Sequence, residues 1–439
     1  MHSRELVYEA ALLGARPILR LAAPFHAKLG RGLRGRRGAV AGFEAWAAAE
    51  RDPARPLVWV HAPSVGEALM AQGIIAALRD HRPELQIAFT HFSPSAERVA
   101  GRVGADVYGY MPWDVRRAAR RTLAALRPAV IAFVRTEVWP VLARLAAAEG
   151  VRLALVNAVL SRTSSRLGPG SRYLLGPAYG RLHAVGAVAP ADAGRFPRLG
   201  VVAERVRVTG DARFDQVWER SDGPDAGAVQ PLLDRLRDPT VTTVVAGSTW
   251  PADEARLVPA FSRAREAAPM RLIVAPHEPD ASHLAGLERR LERAGLGHAR
   301  LAAVEQGRDP LPDVVVVDRL GVLADLYGIA DAAYVGGGFH AAGLHSVVEP
   351  AALGVPVLFG PRHGNAREAA ELEWAGGGSE MRDANGITRM LEVLAKDAVA
   401  RAEAGAAARA YVRSRLGGAA ANAALLAELV DAGRARNPA

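Results

Sequence analysis

Residues 330–362 read ADAAYVGGGFHAAGLHSVVEPAALGVPVLFGPR, and this stretch decides the fold. Ala332–Val335 is a short apolar run of the length of one buried strand. Gly336, Gly337 and Gly338 follow, where no side chain keeps the backbone from a ligand. His345–Leu353 reads as a helix with Glu349 in its first turns, and Val355–Phe359 as a second buried strand closed by Gly360 and Pro361. Strand, glycine turn, helix and strand make a βαβ unit whose turn lies at the carboxyl end of the first strand. Open parallel sheets bind ligands at that end, and helix N-termini favour anions. A tight turn alone explains three glycines equally well. Glu349-Pro350-Ala351-Ala352 adds a carboxylate able to accept both hydroxyls of a ribose.

The same alternation runs outward in both directions. Apolar runs at 57–61, 85–90, 105–110, 129–134, 151–156, 183–188 and 206–208 alternate with helical segments. After a polar, glycine- and proline-bearing linker at Ser221–Gly227, a second series begins at 242–246, 271–275 and 314–317. This pattern predicts an α/β fold with two doubly wound parallel sheets. The expected division is an apolar and basic segment over 1–40, one Rossmann-like domain over 41–220, and a second over 228–439 with a helical C-terminus. The polar clusters Ser64/Glu67, His91/Ser93, Glu137, Asn157, Ser248, His277/Glu278 and Gly336–Gly338 all fall just after a strand. In two sheets facing each other those positions line one cleft.

The 439 residues carry a net charge of +9, nearly all of the positive charge from arginine, so an acidic partner is expected: a phosphorylated ligand, an anionic membrane or nucleic acid. The absence of cysteine excludes disulfides, thiolate metal sites and cysteine nucleophiles. No apolar stretch reaches the ~20 residues of a transmembrane helix. Leu6–Ala27 is largely apolar but broken by Arg16, Pro17, Arg20 and Pro24, and Lys28, Arg31, Arg34, Arg36 and Arg37 follow. Such a segment either lies in a membrane interface against anionic lipid or packs on the domain. Its charge comes after the apolar part, unlike a signal peptide.

Glu67 opens a helix after Pro63-Ser64-Val65-Gly66, where an acid favours the helix dipole and where it could also act as a general base. Glu137 precedes Trp139-Pro140 and either orients Glu67, binds an acceptor or caps its own helix. Arg135, Arg162 and Arg166 are candidates for phosphate or carboxylate recognition, against a background of many solvated arginines. His277 follows a strand and could touch a phosphate or a base, or simply cap. His340, His345 and His363 surround the glycine turn without metal-ligand spacing, so no metal is expected. There is no Walker lysine motif and no DxD. The one GxGxxG match, Gly30–Gly35 (GRGLRG), has no strand before it and reads as chance.

Seven blocks then fall in order: HAPSVGEALMAQG, HFSPSA, RTEVWP, GDARFD, GSTWPADE, APHE and VGGGFHAAGLHSVVEPAALGVPVLFGP. Together they resemble the Kdo (3-deoxy-D-manno-octulosonic acid) transferases of lipopolysaccharide synthesis. The resemblance implies a GT-B fold, CMP-Kdo as donor, a lipid A precursor as acceptor, and work at the cytoplasmic face of the inner membrane, with no cofactor or metal and no nucleic-acid partner. It implies Glu67 as catalytic base in an inverting transfer and Glu137 as the second acidic residue. It implies Ser248, His277, Gly337, Gly338 and Glu349 as holders of the CMP moiety. Ser64, Arg135 and Arg162 are expected on the acceptor side. APHEPD lacks the arginine of the family's usual PRHPE block, and Ser346 stands where asparagine is common. The competing expectations are a GT-B transferase using a UDP-sugar, and a non-catalytic basic protein binding nucleic acid or membranes.

Overall fold

The computed structural model describes residues 3–222, 229–307 and 310–434. Its chain divides into two compact units, one of residues 1–216 with 415–439 and one of residues 217–414. Of the linker expected at Ser221–Gly227, Ser221 and Asp222 instead end the helix Ala212–Asp222, and the rest lies outside the described residues.

The first unit is built on a parallel sheet of seven strands: β1 (Leu57–Ala62), β2 (Gln86–His91), β3 (Val107–Tyr110), β4 (Val130–Val134), β5 (Arg152–Ala158), β6 (Ala184–Ala187) and β7 (Val206–Val208). Their order is β3-β2-β1-β4-β5-β6-β7. β1, β2 and β4 are buried along their whole length, which is why they read as unbroken apolar runs. One face packs Leu57, Trp59, Ile131 and Phe133, and the other Val58, Val60, Ala132 and Val134.

The second unit repeats the plan with β8 (Thr242–Thr249), β9 (Met270–Pro276), β10 (His298–Arg300), β11 (Val314–Val316), β12 (Ala332–Val335), β13 (Val357–Phe359) and β14 (Gly378–Glu380), in the order β10-β11-β9-β8-β12-β13-β14. All pairings in both sheets are parallel. The two short strands β10 and β14, unread in the sequence, are edges whose residues, His-Ala-Arg and Gly-Ser-Glu, form no apolar run. In each sheet the strand order reverses beside the first strand, between β1 and β4 and between β8 and β12. That reversal opens a crevice at the carboxyl ends of the strands.

Three helices precede β1: α1 (Ser3–Ala22), α2 (Ala27–Arg37) and α3 (Ala39–Glu50). GRGLRG lies inside α2 and serves its packing. A Cβ on Gly35 would stand 2.1 Å from the Tyr110 ring, and one on Gly32 3.5 Å from Pro94. α1 docks through Tyr8, which packs on the core, and through Glu9, which accepts from the Arg116 amide at 2.6 Å. Leu13, Ile18 and Leu21 remain exposed on α1, as does Phe25 just beyond it. No described helix is long and apolar enough to cross a membrane.

The C-terminal helix corrects the expected domain boundary. Residues 228–439 do not stay together, because Gly418–Arg434 returns to the first unit. Ala423, Leu426 and Val430 join Ile74 of α4 (Val65–His81) in the core there. A polar lock fixes the return. Asn422 Oδ1 accepts from the Asn157 amide at 3.0 Å, and Asp215 accepts from the Gly417 and Ala419 amides at 2.6 and 2.9 Å. Gly418 is obligatory, since a Cβ there would lie 2.7–2.8 Å from the backbone of Asp211 and Ala212. GDARFD is therefore the seat of this helix. We expect Leu426→Ala to cost about 2–5 kcal/mol. Hydrogen exchange should then quicken in β4–β6 and stay unchanged in β8, β9 and β12; the opposite pattern would place the helix in the second unit.

Candidate active site and donor loop

In the first unit, β1 ends at Ala62 and the chain turns through Pro63 and Ser64 into α4, placing Glu67 in its first turn. The Ser64 hydroxyl donates to the Glu67 carboxylate. β4 ends at Val134 and leads through Arg135 and Thr136 to Glu137. The two carboxylates thus leave the two strands that flank the reversal of the sheet. Burial raises the pKa of Glu137, Arg166 lowers it, and the charge of Glu67 raises it further. Tyr179 completes the group: its hydroxyl donates to the Thr136 carbonyl, and burial raises its pKa while the charge of Arg166 opposes the rise. Arg166, a candidate that the expected acceptor set of Arg135 and Arg162 left out, is the arginine whose charge acts on Glu137. Arg162 is exposed. Arg135 takes a left-handed conformation (φ 79°) and its charge acts on Asp211, on the side of the Asn157 lock.

Two supports behind these carboxylates were not legible in the sequence. Asp114 is buried and caps the helix Pro140–Ala148, accepting from the Val141 and Leu142 amides at 3.0 and 2.8 Å. Burial pushes its pKa up to about 6. Tyr8 of α1 packs on the core; burial raises the pKa of its hydroxyl, and the charges of Asp114 and Glu137 raise it further, so α1 lies against the site. His61, the last histidine before Ser64, is fully buried, with Nδ1 at 3.1 Å from the Thr90 carbonyl oxygen and Nε2 without a partner among the described residues. The carbonyl requires a proton on Nδ1, which leaves Nε2 as a bare lone pair against the edges of Phe133 and Trp139.

In the second unit the corresponding reversal lies between β8 and β12. Ser248 bulges out of β8 with φ 54°. Of the four non-glycine residues at positive φ among those described, Arg135, Asn157 and Ser248 all stand at the carboxyl ends of strands. Backbone strain of this kind gathers at functional sites.

The glycine turn is held from inside. A Cβ on Gly336 would lie 2.2 Å from the Ser248 carbonyl oxygen, and one on Gly338 2.4 Å from the Gly360 amide nitrogen. Gly337 has φ 92°, and its Cβ would strike the Gly343 carbonyl oxygen at 2.2 Å. These glycines are required by backbone packed on backbone. Asp253, fully buried, is the organising side chain. It accepts from the amides of Gly337 (2.8 Å), Phe339 (3.2 Å) and Trp250 (3.0 Å) and from the Tyr334 hydroxyl (3.1 Å). The Gly337 amide is therefore already engaged. The helix expected over His345–Leu353 is only Val348–Ala352, so the chain from Ala341 to Ser346 stays irregular and the helix is too short for an appreciable dipole.

Aromatic rings cover the turn. Trp250 stacks on His340 (4.1 Å between centroids, 4° between planes) and on His277 (4.8 Å), and donates from Nε1 to His345 Nε2 at 3.3 Å. His363 stands apart, bonded to Glu380 at 3.0 Å. Glu349 is half-buried; burial raises its pKa and Arg220 opposes the rise. Thus Ser248, His277, Gly337 and Gly338 are brought together at the end of β8, β9 and β12, with Glu349 following on the next helix.

The chain matches a family model described as 3-deoxy-D-manno-octulosonic-acid transferase (kdotransferase) over residues 33–216. It is 30% identical over 375 residues to the 3-deoxy-D-manno-octulosonic acid transferase of Bordetella pertussis, covering 82% of this chain and 84% of the relative. The chain belongs to the Kdo transferase family. A second relative of the same description, from Haemophilus influenzae, is 25% identical over 311 residues, covering 69% and 70% of the two chains. Among solved structures, UDP-GlcNAc 2-epimerase from Neisseria meningitidis bound to UDP-GlcNAc superposes with a TM-score of 0.60 at 12% identity, over 86% of this chain and all of that one. That likeness establishes the fold alone. The fold is of the GT-B class with two Rossmann-like domains, and this Kdo transferase homologue is a glycosyltransferase.

Burial holds the pKa of His61 down to about 3. The unfolded chain, with a histidine pKa of about 6.5, binds the proton first. Stability from this group is complete above pH 6.5 and is lost as the pH falls toward 3, by roughly 1.4 kcal/mol per unit. Urea unfolding at stepped pH should show that slope in the wild type. In His61→Asn, which retains a donor toward Thr90 and does not titrate, the slope should flatten.

Proposed function

We propose that this family member transfers Kdo from CMP-Kdo to a lipid A precursor of the lipid IVA type, with inversion and without a metal. The observation that carries the reading is that Glu67 and Glu137 leave the two strands that flank the reversal of the first sheet. Glu67 is the general base. Ser64 orients its carboxylate, and Glu137 with Arg166 holds the charge beside it. The carboxylate takes the proton of an acceptor hydroxyl, and the freed oxygen attacks the anomeric carbon of Kdo. The bond to the phosphate breaks, and CMP leaves with the electron pair. A phosphate leaving group needs stabilisation of its charge more than protonation.

In the second unit, Ser248, His277, Gly338 and Glu349 hold the CMP moiety, with Glu349 accepting from the ribose hydroxyls. The Gly337 amide acts from within, by fixing the turn through Asp253. The Trp250 and histidine rings give the nucleotide a flat aromatic wall. Two features support work at the cytoplasmic face of the inner membrane. α1 is apolar on its outward side, and Arg20, Lys28 and Arg31 are exposed nearby. An apolar face of this kind lies in an interface, and its cations meet anionic headgroups.

Glu67→Ala should fold, bind CMP as the wild type does, and lose at least about a hundredfold in transfer, the usual share of a general base. Mass spectrometry of lipid A precursor incubated with a CMP-Kdo generating system reads the loss. Wild-type turnover by the variant removes Glu67 from the base role. Thermal shift by CMP but not UDP is expected of the second unit, and the reverse would redirect the donor to a UDP-sugar.

A further inference from the structure

α1, α2 and the turn after β3 enclose a small cavity of about 180 Å³, lined by Arg16, Arg20, Leu33, Arg36, Arg37 and Trp113. Four arginines line it and no carboxylate does. Arg36 is only 8% exposed, so its position is built rather than incidental. Its guanidinium lies over the Phe92 ring at 3.7 Å, with Tyr110 and Trp113 at 5.3 and 5.5 Å, and donates to the Gly32 and Phe92 carbonyls. Its Nε is buried and has no partner among the described residues. Burial lowers its pKa to about 10, which leaves it cationic at neutral pH. Carbonyls and ring faces satisfy part of this cation, and none of them carries a neutralising charge. The acids nearby are engaged elsewhere: Glu97 accepts from Tyr110 at 2.6 Å, and Glu9 pairs with Arg116 at 3.4 Å. A half-buried guanidinium cluster without a counter-charge is costly unless an anion completes it.

Arg16 also lines a second, larger groove of about 950 Å³ on its other side. The groove has an apolar lining of Leu13, Val40, Val115 and Ala118, and Arg117 and Arg120 also border it. The two hollows thus juxtapose a site for concentrated negative charge and a site for hydrocarbon. They lie along α1, roughly 12 Å by helical rise from Tyr8, the residue that senses Glu137.

We propose that the Arg16–Arg20–Arg36–Arg37 pocket binds a phosphomonoester carried by the acyl-bearing acceptor, and that the Leu13–Val40–Val115–Ala118 groove receives part of one acyl chain. The identification of the occupant as the acceptor rests on the transfer reading above; the pocket's chemistry does not. Guanidinium forks match phosphate oxygens in pairs. A phosphomonoester bears about −1.5 to −2 charges at neutral pH, where a phosphodiester bears about one, so four arginines select the former.

Flotation of the full chain with phosphatidylcholine vesicles tests this, doped with either phosphatidic acid (a phosphomonoester) or phosphatidylglycerol (a phosphodiester). The wild type should prefer phosphatidic acid. Arg20→Gln/Arg37→Gln removes two exposed walls of the pocket and spares buried Arg36. It should lose that preference by roughly tenfold in partitioning, equivalent to about 1.4 kcal/mol. Arg31→Gln/Arg34→Gln removes the same charge from α2 outside the pocket, and should weaken binding to both vesicles equally and keep the preference. Equal losses from both double variants, or a wild type without preference, overturn the pocket. Inorganic phosphate binding as tightly as phosphatidic acid vesicles overturns the assignment to a lipid. No donor or transfer enters the measurement, and Glu67→Ala should float as the wild type does, so this result and the fate of the transfer reading are separable.

Discussion

A strand buried on both faces of a parallel sheet has no room for a polar side chain until it leaves the sheet. The central strands of both units are apolar over most of their length, and within each sheet all of them leave at the same edge because all pairings are parallel. The chemistry of the molecule is consequently confined to short segments that follow apolar runs. Ser64 and Glu67 follow β1, Glu137 follows β4, Ser248 follows β8, and the glycine turn follows β12. The reversal of strand order then separates the loops at two of those strand ends in each sheet and leaves space between them. The carboxylate pair and the glycine turn both stand where that geometry leaves space.

The same constraint explains what could be read in advance. Apolar runs bounded by Gly, Pro, Ser or His gave twelve of the strands within a few residues, and the polar clusters after them marked the edge of each sheet. Edge strands β10 and β14 lacked the signal, because an edge strand of three residues need not be apolar on both faces. The C-terminal helix departs from the expected boundary for a different reason. Its sequence is helical in any context, and sequence order alone places it with the domain it follows. The clues lay in Gly417-Gly418 and in Asn422, a single polar residue on an otherwise apolar face, buried with its carbonyl turned to Asn157. A buried asparagine must find partners, and here two of them, Asn157 and Thr209, lie 265 and 213 positions away in the chain.

The glycine turn shows how a correct location can carry an incomplete reason. Three glycines suggest a backbone bared to a ligand. In the structure they are bared to other backbone, against Ser248, Gly343 and Gly360. Asp253 does the organising, and its sequence signal was the spacing Trp250-Pro251-Ala252-Asp253, in which the third helical residue reaches back to the start of its helix. Because one carboxylate binds Trp250, Tyr334, Gly337 and Phe339 together, the aromatic wall and the turn are set by a single group. Preorganisation of this kind matters more than any one donor to the ligand, since a loop already fixed loses no entropy when the nucleotide arrives.

Charge is distributed by a similar logic across the first unit. Its arginines are abundant, yet they differ sharply in what neutralises them. Arg121 has Glu44, Arg116 has Glu9 and Arg213 has Asp211, so these contribute little field. Arg166 is drawn to Glu137, where its charge opposes the effects of burial and of Glu67. The cations around Arg36 have rings and carbonyls in place of acids. An acceptor carrying a phosphate and a hydroxyl would meet opposite requirements at its two ends: uncompensated positive charge for the first, and a carboxylate for the second. α1 touches both places, through Arg16 at one end and Tyr8 at the other. An isolated amphipathic helix could serve membrane attachment alone. A helix held by Tyr8 in the core and by Glu9 on the Arg116 amide is instead kept in register with the carboxylates, and register is what a substrate needs and a mere anchor does not.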